Sequence, residues 1–274
     1  MIAVNTDLEC YDKYGYVLVR EAVEDSLIED LRSRVSDGVD AFARELVLSG
    51  MIEDGFESLP FGRRLAAIFE HQEPKLRSWD KILPARDLHN LVCQERVGGA
   101  LRRILGREVV FSGDFHLRPK LPGSTYTAFP WHQDSQYYGR ATKDMHVVTV
   151  WTPLVDVDEI NGCLWVIPES HKWGLLNGER GEDMNMRTSE NVEDRGTPIP
   201  VPMRAGDALL FSNLTFHASK INRSLLVRWS IDCRYFESKD LESVTQSEAK
   251  AYAFYRGKLK TMGRTEIVLP TAEG

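Results

Sequence analysis

His132 and Asp134 stand two residues apart in Pro130-Trp131-His132-Gln133-Asp134-Ser135, a stretch that reads as a strand. Side chains alternate across a strand, so both would project from one face. An imidazole and a carboxylate held together need a third ligand to retain a metal ion, and His217 in Leu214-Thr215-Phe216-His217-Ala218-Ser219 supplies a second imidazole. Two histidines and one carboxylate form the facial set that binds non-haem Fe(II) and leaves coordination positions open. A zinc hydrolase can use the same three groups.

Further along, Val227, Trp229 and Ile231 alternate with Arg228, Ser230 and Asp232. A strand with this pattern is apolar on one face and polar on the other, so it fits beneath helices on one side and along a polar cavity on the other. Arg228 would then offer a planar, two-pronged cation to a carboxylate.

The elements that must position these groups fall into two textures. Residues 7–22 read as a short amphipathic helix, a glycine stop at Gly15 and a β-rich run. From Glu24 to Leu48, Leu27, Ile28, Leu31, Val35, Val39, Phe42 and Leu46 recur at helical steps, with Asp25 or Ser26 as the cap. Arg63 to Glu73 and Leu88 to Leu105 repeat that spacing. From Glu108 the pattern changes to short β-rich runs separated by Gly, Pro and Asn. Strands are predicted near Val109–Arg118, Tyr126–Asp134, His146–Leu154, Cys163–Pro168, Asp207–Phe211, Leu214–Ser219 and Leu225–Phe236. Such a series indicates a sandwich or barrel rather than a parallel α/β sheet. Asn177 to Pro200 reads as a long, charged, weakly apolar loop, of a length found both in lids and in disordered segments.

A chain of 274 residues with 42% hydrophobic content can bury a full core. Its formal charge of −7, from 34 basic and 41 acidic residues without a long run of either sign, argues against nucleic acid or an anionic membrane as partner. No apolar stretch of about 18 residues occurs and the N-terminus carries acids, so the expectation is a soluble, cytoplasmic protein acting on a small molecule. Cys10, Cys93, Cys163 and Cys233 form no C-x-x-C pair, which suits free thiols in a reducing compartment.

The histidine unit has company: Asn161-Gly162-Cys163-Leu164-Trp165-Val166-Ile167-Pro168-Glu169-Ser170-His171, then Gly206-Asp207, then His217, then Arg228. Together these resemble the phytanoyl-CoA dioxygenase family of Fe(II)- and 2-oxoglutarate-dependent oxygenases, over roughly residues 9–237. The resemblance implies a double-stranded β-helix, or jelly roll, with a helical cover. As one domain it would comprise helical cover to residue 106, a jelly-roll core over 107–237 and a C-terminal extension over 238–274. It makes His132, Asp134 and His217 the iron ligands, and Arg228, assisted by Ser219, the partner of the far carboxylate of 2-oxoglutarate. Gln133 and Trp151 match co-substrate positions of the family, and His116 and Lys120 fall where it lines the co-substrate pocket.

Tyr137 and Gln136 flank the histidine unit as candidate substrate walls, and Arg118 and Arg140 are candidates to receive an anionic substrate. His171 reads as a structural group. The implied reaction consumes O2 and 2-oxoglutarate, releases succinate and CO2, and hydroxylates a metabolite of amino acid, phosphonate or natural-product type. Desaturation, epimerisation or cyclisation would leave the same triad intact, whereas a carboxylate at Asp134 disfavours halogenation. The alternative is a cupin-like hydrolase, isomerase or binding protein that leaves 2-oxoglutarate unconsumed.

Overall fold

A computed structural model describes residues 4–70, 78–138, 143–240 and 267–268. Two antiparallel sheets face each other. The larger has β1 (Tyr16–Val19), β2 (Val109–Lys120), β4 (Val147–Pro153), β9 (Ala208–Ser212), β11 (Arg228–Glu237) and β12 (Ile267–Val268), in the order β1-β9-β4-β11-β2-β12. The smaller has β3 (Phe129–His132), β5 (Leu164–Val166), β8 (Ile199–Val201) and β10 (His217–Ser219), in the order β3-β10-β5-β8. A separate hairpin joins β6 (Gly178–Arg180) to β7 (Met186–Thr188).

Helix α1 (Tyr11–Tyr14) ends at Gly15, which takes the left-handed conformation of a C-cap. Four further helices, α2 (Asp25–Leu48), α3 (Phe61–Glu70), α4 (Ala85–Val92) and α5 (Glu95–Leu105), cover the outer face of the larger sheet. The apolar stripe of α2, including Leu27, Leu31, Val35 and Leu46, joins one core with Phe111, Val148, Leu210, Trp229 and Ile231. Each fully buried Leu or Val contributes about 1.5–3 kcal/mol. Trp79 meets Trp229 edge to face at 5.3 Å and Phe42 at 5.7 Å, which ties the cover to β11 beside Arg228.

Between the sheets, Tyr16, Leu18, Trp151, Leu209 and Phe211 pack against Leu164, Val166, Ile199 and Val201. This second core fills one end of the sandwich, and the other end holds a cavity. The jelly roll with helical cover is therefore as expected.

Four local readings change. The strand predicted over Tyr126–Asp134 ends at His132, and Asp134 opens a short helix, α6 (Asp134–Tyr138). The helix predicted over Leu88–Leu105 is two, broken at Cys93 and Gln94. The N-cap of α2 is Glu24, without a side-chain hydrogen bond. The segment from Asn177 to Pro200 contains the β6–β7 hairpin. Most of the 238–274 extension, Arg140 and the last residues of the helix predicted to Glu73 lie outside the described residues. Among the described residues, no helix is long and apolar enough to cross a membrane.

Candidate metal and co-substrate site

His132 and His217 are direct cross-strand partners in the β3–β10 register, which brings their ring centres to 4.2 Å. Asp134 reaches the same point from the first turn of α6. Its Oδ1 lies 3.9 Å from His132 Nε2 and 3.6 Å from His217 Nε2. All three side chains are buried, and their ligating atoms lie within 4.8 Å of one another, so the group can hold a metal ion. Convergence thus comes from a strand-to-helix turn rather than from alternation along one strand.

Backbone carbonyls fix the imidazole tautomers. His132 Nδ1 donates to Pro130 O at 2.7 Å and His217 Nδ1 to Thr215 O at 3.0 Å. Both Nε2 lone pairs therefore face the centre. Burial, reinforced by His217, pushes His132 down to about 3, and burial also lowers His217, so both imidazoles are neutral at ordinary pH. Burial alone would raise Asp134, yet the Arg234 guanidinium leads the interactions that outweigh it and keep the carboxylate ionised. Thr149 donates to Asp134 Oδ2 and Arg234 Nε lies 3.9 Å from it, which leaves Oδ1 for a cation.

The units flanking the triad act as braces. Ser170 of the Pro-x-Ser-His unit accepts from Phe216 N at 2.8 Å and so holds the residue before His217, while His171 Nε2 donates to Asp12 O at 3.0 Å as a structural group. Asn213 donates to Ser135 Oγ at 2.7 Å and accepts Ser135 N on its carbonyl at 3.2 Å, pinning the first turn of α6 to the strands. Asp207 accepts from Arg20, Glu21 N and Arg204 N, so it closes a turn at a distance from the triad.

Arg228 lines the same cavity, 3% exposed, with its guanidinium carbon 5.2 Å from the centre of the Trp151 ring. Its Nη1 donates to Ser230, its Nε has no hydrogen-bond partner, and no carboxylate among the described residues pairs with it. Burial and the neighbouring Arg118 push it down to about 9. Lys120, directly opposite in the β2–β11 register, is 1% exposed, and among the described residues its amine bonds only to the carbonyls of Thr127 and Ser219. Burial and Arg228 push it down to about 6. A Cβ on Gly162 would come within 2.5 Å of the Lys120 side chain, so the Asn161-Gly162 turn makes room for it. A buried guanidinium without a carboxylate is costly in isolation and fits an anionic ligand. Ser219, Trp151 and His116 also line the cavity, of about 500 Å³, whereas Lys120 stands behind its wall.

Two expected contacts fall elsewhere. The Gln133 amide donates to Gly174 O and Leu214 O and accepts from Leu176 N, so all its capacity ties loops together outside the cavity. Gln136 likewise bonds to Gln133 N and Leu176 O. Both side chains bond to local backbone, which a sequence match does not reveal. Tyr137 does line the cavity. It meets the His132 ring edge to face at 5.3 Å and accepts Met186 N at 3.0 Å, and so supports the β6–β7 hairpin as a roof. Arg118 lines the cavity too, but its Nε is committed to Asp232 at 2.7 Å.

Sequence reasoning missed Thr149, Arg234 and Asp114. Arg234 pairs with Asp232 and approaches Asp114 at 3.7 Å, while Asp114 in turn lies 3.5 Å from His116 Nε2. The signal for Arg234 was present, since it continues the Arg228-Ser230-Asp232 alternation by one step.

A jelly roll that gathers two imidazoles and a carboxylate at its open end defines a cupin-type metalloprotein. A family model described as phytanoyl-CoA dioxygenase (PhyH) matches residues 11–229. The chain belongs to that family and is a 2-oxoglutarate-dependent non-haem iron dioxygenase, with Fe(II), 2-oxoglutarate and O2 as cofactor and co-substrates. It is 26% identical over 235 residues to a probable phytanoyl-CoA dioxygenase of Caenorhabditis elegans, 82% of this chain and 72% of that one. It is 33% identical over 175 residues to an ectoine dioxygenase of Streptomyces anulatus, 57% of this chain and 58% of that one. Among solved structures, EvdO2 of Micromonospora carbonacea var. aurantiaca, complexed with 2-oxoglutarate, shares the fold at a TM-score of 0.59 and 18% identity, over 87% of this chain and 94% of that one.

Proposed function

We propose that the protein hydroxylates a small-molecule metabolite, with His132, Asp134 and His217 as the iron ligands and Arg228 as the partner of the far carboxylate of 2-oxoglutarate. The observation that carries this reading is the pairing of a closed three-ligand cluster with a buried arginine that has no carboxylate of its own. A hydrolase would have no use for that arginine. Ser219 lines the same cavity as Arg228, the Trp151 ring lies against the guanidinium, and Lys120 stands directly opposite Arg228 behind the wall.

The bound iron would supply dioxygen activation, with one oxygen atom entering succinate and the other the substrate. The chain's own contribution is orientation and exclusion of water. Two fixed tautomers and an Asp134 carboxylate held through Oδ2 would present three ligand atoms to the iron, and residues of the β6–β7 hairpin line the cavity beside them. The ectoine dioxygenase relative supports a compact polar metabolite as the substrate type.

The test is product analysis with labelled dioxygen. The expected result is a substrate heavier by one labelled oxygen atom, in equal amount with succinate. Succinate formed with a desaturated, epimerised or cyclised product would replace hydroxylation by one of those outcomes. A product formed without 2-oxoglutarate consumption would favour the hydrolase or isomerase alternative.

A further inference from the structure

Most polar groups that line the cavity are matched by one another. Arg118 is committed to Asp232, Arg234 to Asp232, Asp134 and Asp114, and Thr149 to Asp134. Arg228 and Ser219 face the keto acid in the proposed function. On the roof side, Asn185 stands in the connection between β6 and β7 and lines the same cavity, 8% exposed. A buried primary amide has two N–H groups and one acceptor oxygen to satisfy.

The local bonds fix which end of that amide faces where. Gly181 N donates to Asn185 O at 2.9 Å and closes the turn. The Asn185 amide nitrogen donates to Asp183 Oδ2 at 3.1 Å and approaches Ala128 O at 3.5 Å. Arg187 grips the Asp183 carboxylate with both terminal nitrogens at 2.7 Å each and holds it down to about 2, so at ordinary pH Asp183 only accepts. A carboxylate and a carbonyl can meet only the NH2 end, which sets the amide's orientation. Oδ1 is then left over. Among the described residues no donor reaches it, and protein does not seal it off, so its open side is the cavity that Asn185 lines. Ala128 stands just before β3 and His132 ends that strand, so about 10 Å of extended chain separates the amide from the metal cluster.

We infer that Asn185 is a specificity-determining residue whose Oδ1 accepts a hydrogen bond from an O–H or N–H donor at the end of the substrate remote from the oxidised carbon. This deepens the oxygenase reading and rests on it. An acceptor clamped by its own nitrogen cannot turn to offer a donor instead, so an analogue lacking the O–H or N–H leaves Oδ1 unpaired in a closed site. A cavity of about 500 Å³ shared with the keto acid limits the substrate to a small molecule.

The test uses the full chain loaded with Fe(II) and 2-oxoglutarate and a panel of small linear and cyclic alcohols and amines, each with its deoxy or desamino counterpart. Succinate release is the readout. The expected result is that donor-bearing members stimulate release with kcat/KM about ten-fold or more above their counterparts, the responding half of the panel telling O–H from N–H. In Asn185→Leu that preference should collapse to about two-fold or less, and Asn185→Asp, which keeps an acceptor, should restore part of it. A merely structural amide would behave differently, since loosening the roof slows both members of a pair alike and leaves their ratio intact. An unchanged ratio in Asn185→Leu, equal stimulation by the counterparts in wild type, or no stimulation by any panel member would each overturn the assignment. An absorption band formed anaerobically by wild type with Fe(II) and 2-oxoglutarate separates these failures from failure of the oxygenase reading, in which no band forms.

Discussion

Arg228 and Arg234 lie on the same face of β11, six residues apart and equally buried, yet their surroundings are opposite. Arg234 is surrounded by Asp232, Asp134 and Asp114. Their charges overcome its burial, so it is held well above the ordinary arginine value. Arg228 has a serine and an aromatic face, and burial with the neighbouring Arg118 pushes it down instead. A buried cation that is already neutralised can only support what it touches, and what Arg234 touches is the candidate iron ligand Asp134. A buried cation left without a counter-charge is a receptor for one.

Breaking the saturated end should have the largest effect. Arg234→Met leaves buried carboxylates uncompensated, and urea unfolding should show a loss of about 3–5 kcal/mol. If the loss is under about 1 kcal/mol, the carboxylates are neutralised in some other way and the contrast fails. At the open end, Arg228→Met removes a cation with no carboxylate partner. The protein without keto acid should keep or gain stability, whereas KM for 2-oxoglutarate should rise by about 10- to 100-fold, the value of one charge-assisted contact. Arg228→Lys should fall between, because it keeps the charge and loses the fork.

Lys120 sharpens the comparison through pH. Its folded value of about 6 lies below the 10.5 of an unperturbed lysine, so the unfolded chain binds the extra proton between those limits. Stability of the protein without keto acid should therefore rise with pH upward from about 6, and this part of the slope should vanish in Lys120→Met. An identical slope in both proteins would show that Lys120 stays charged in the fold. The smallest effect belongs to the roof. Tyr137→Phe removes the hydrogen bond to Met186 N and should cost about 0.5–1.5 kcal/mol, read as faster hydrogen exchange at that amide.

Legibility in the sequence followed the range of the interaction. Alternation on β11 was readable because each residue's face depends on its neighbours, and the long helix α2 was readable for the same reason. His132 and Asp134 were rightly grouped with His217, but through the wrong geometry, since a single strand was assumed where the chain turns into α6. Gln133 and Gln136 went astray because an amide gives no sign of which backbone carbonyl will claim it. The Thr149 and Arg234 contacts to Asp134 join separate strands, and no local pattern announces them. The roof hairpin escaped notice because Gly178–Arg180 and Met186–Thr188 are too short for a period-two pattern to emerge.

The central claim is that the triad and Arg228 form one site for iron and keto acid, and an anaerobic absorption titration tests it most directly. Metal-free protein is given Fe(II) and then 2-oxoglutarate, in wild type, His132→Ala and Arg228→Met. A charge-transfer band that requires both additions, is absent in His132→Ala, and requires about 10- to 100-fold more keto acid in Arg228→Met is the expected result. A band that forms at the same keto acid concentration in Arg228→Met, or Fe(II) binding with no band in wild type, would contradict it.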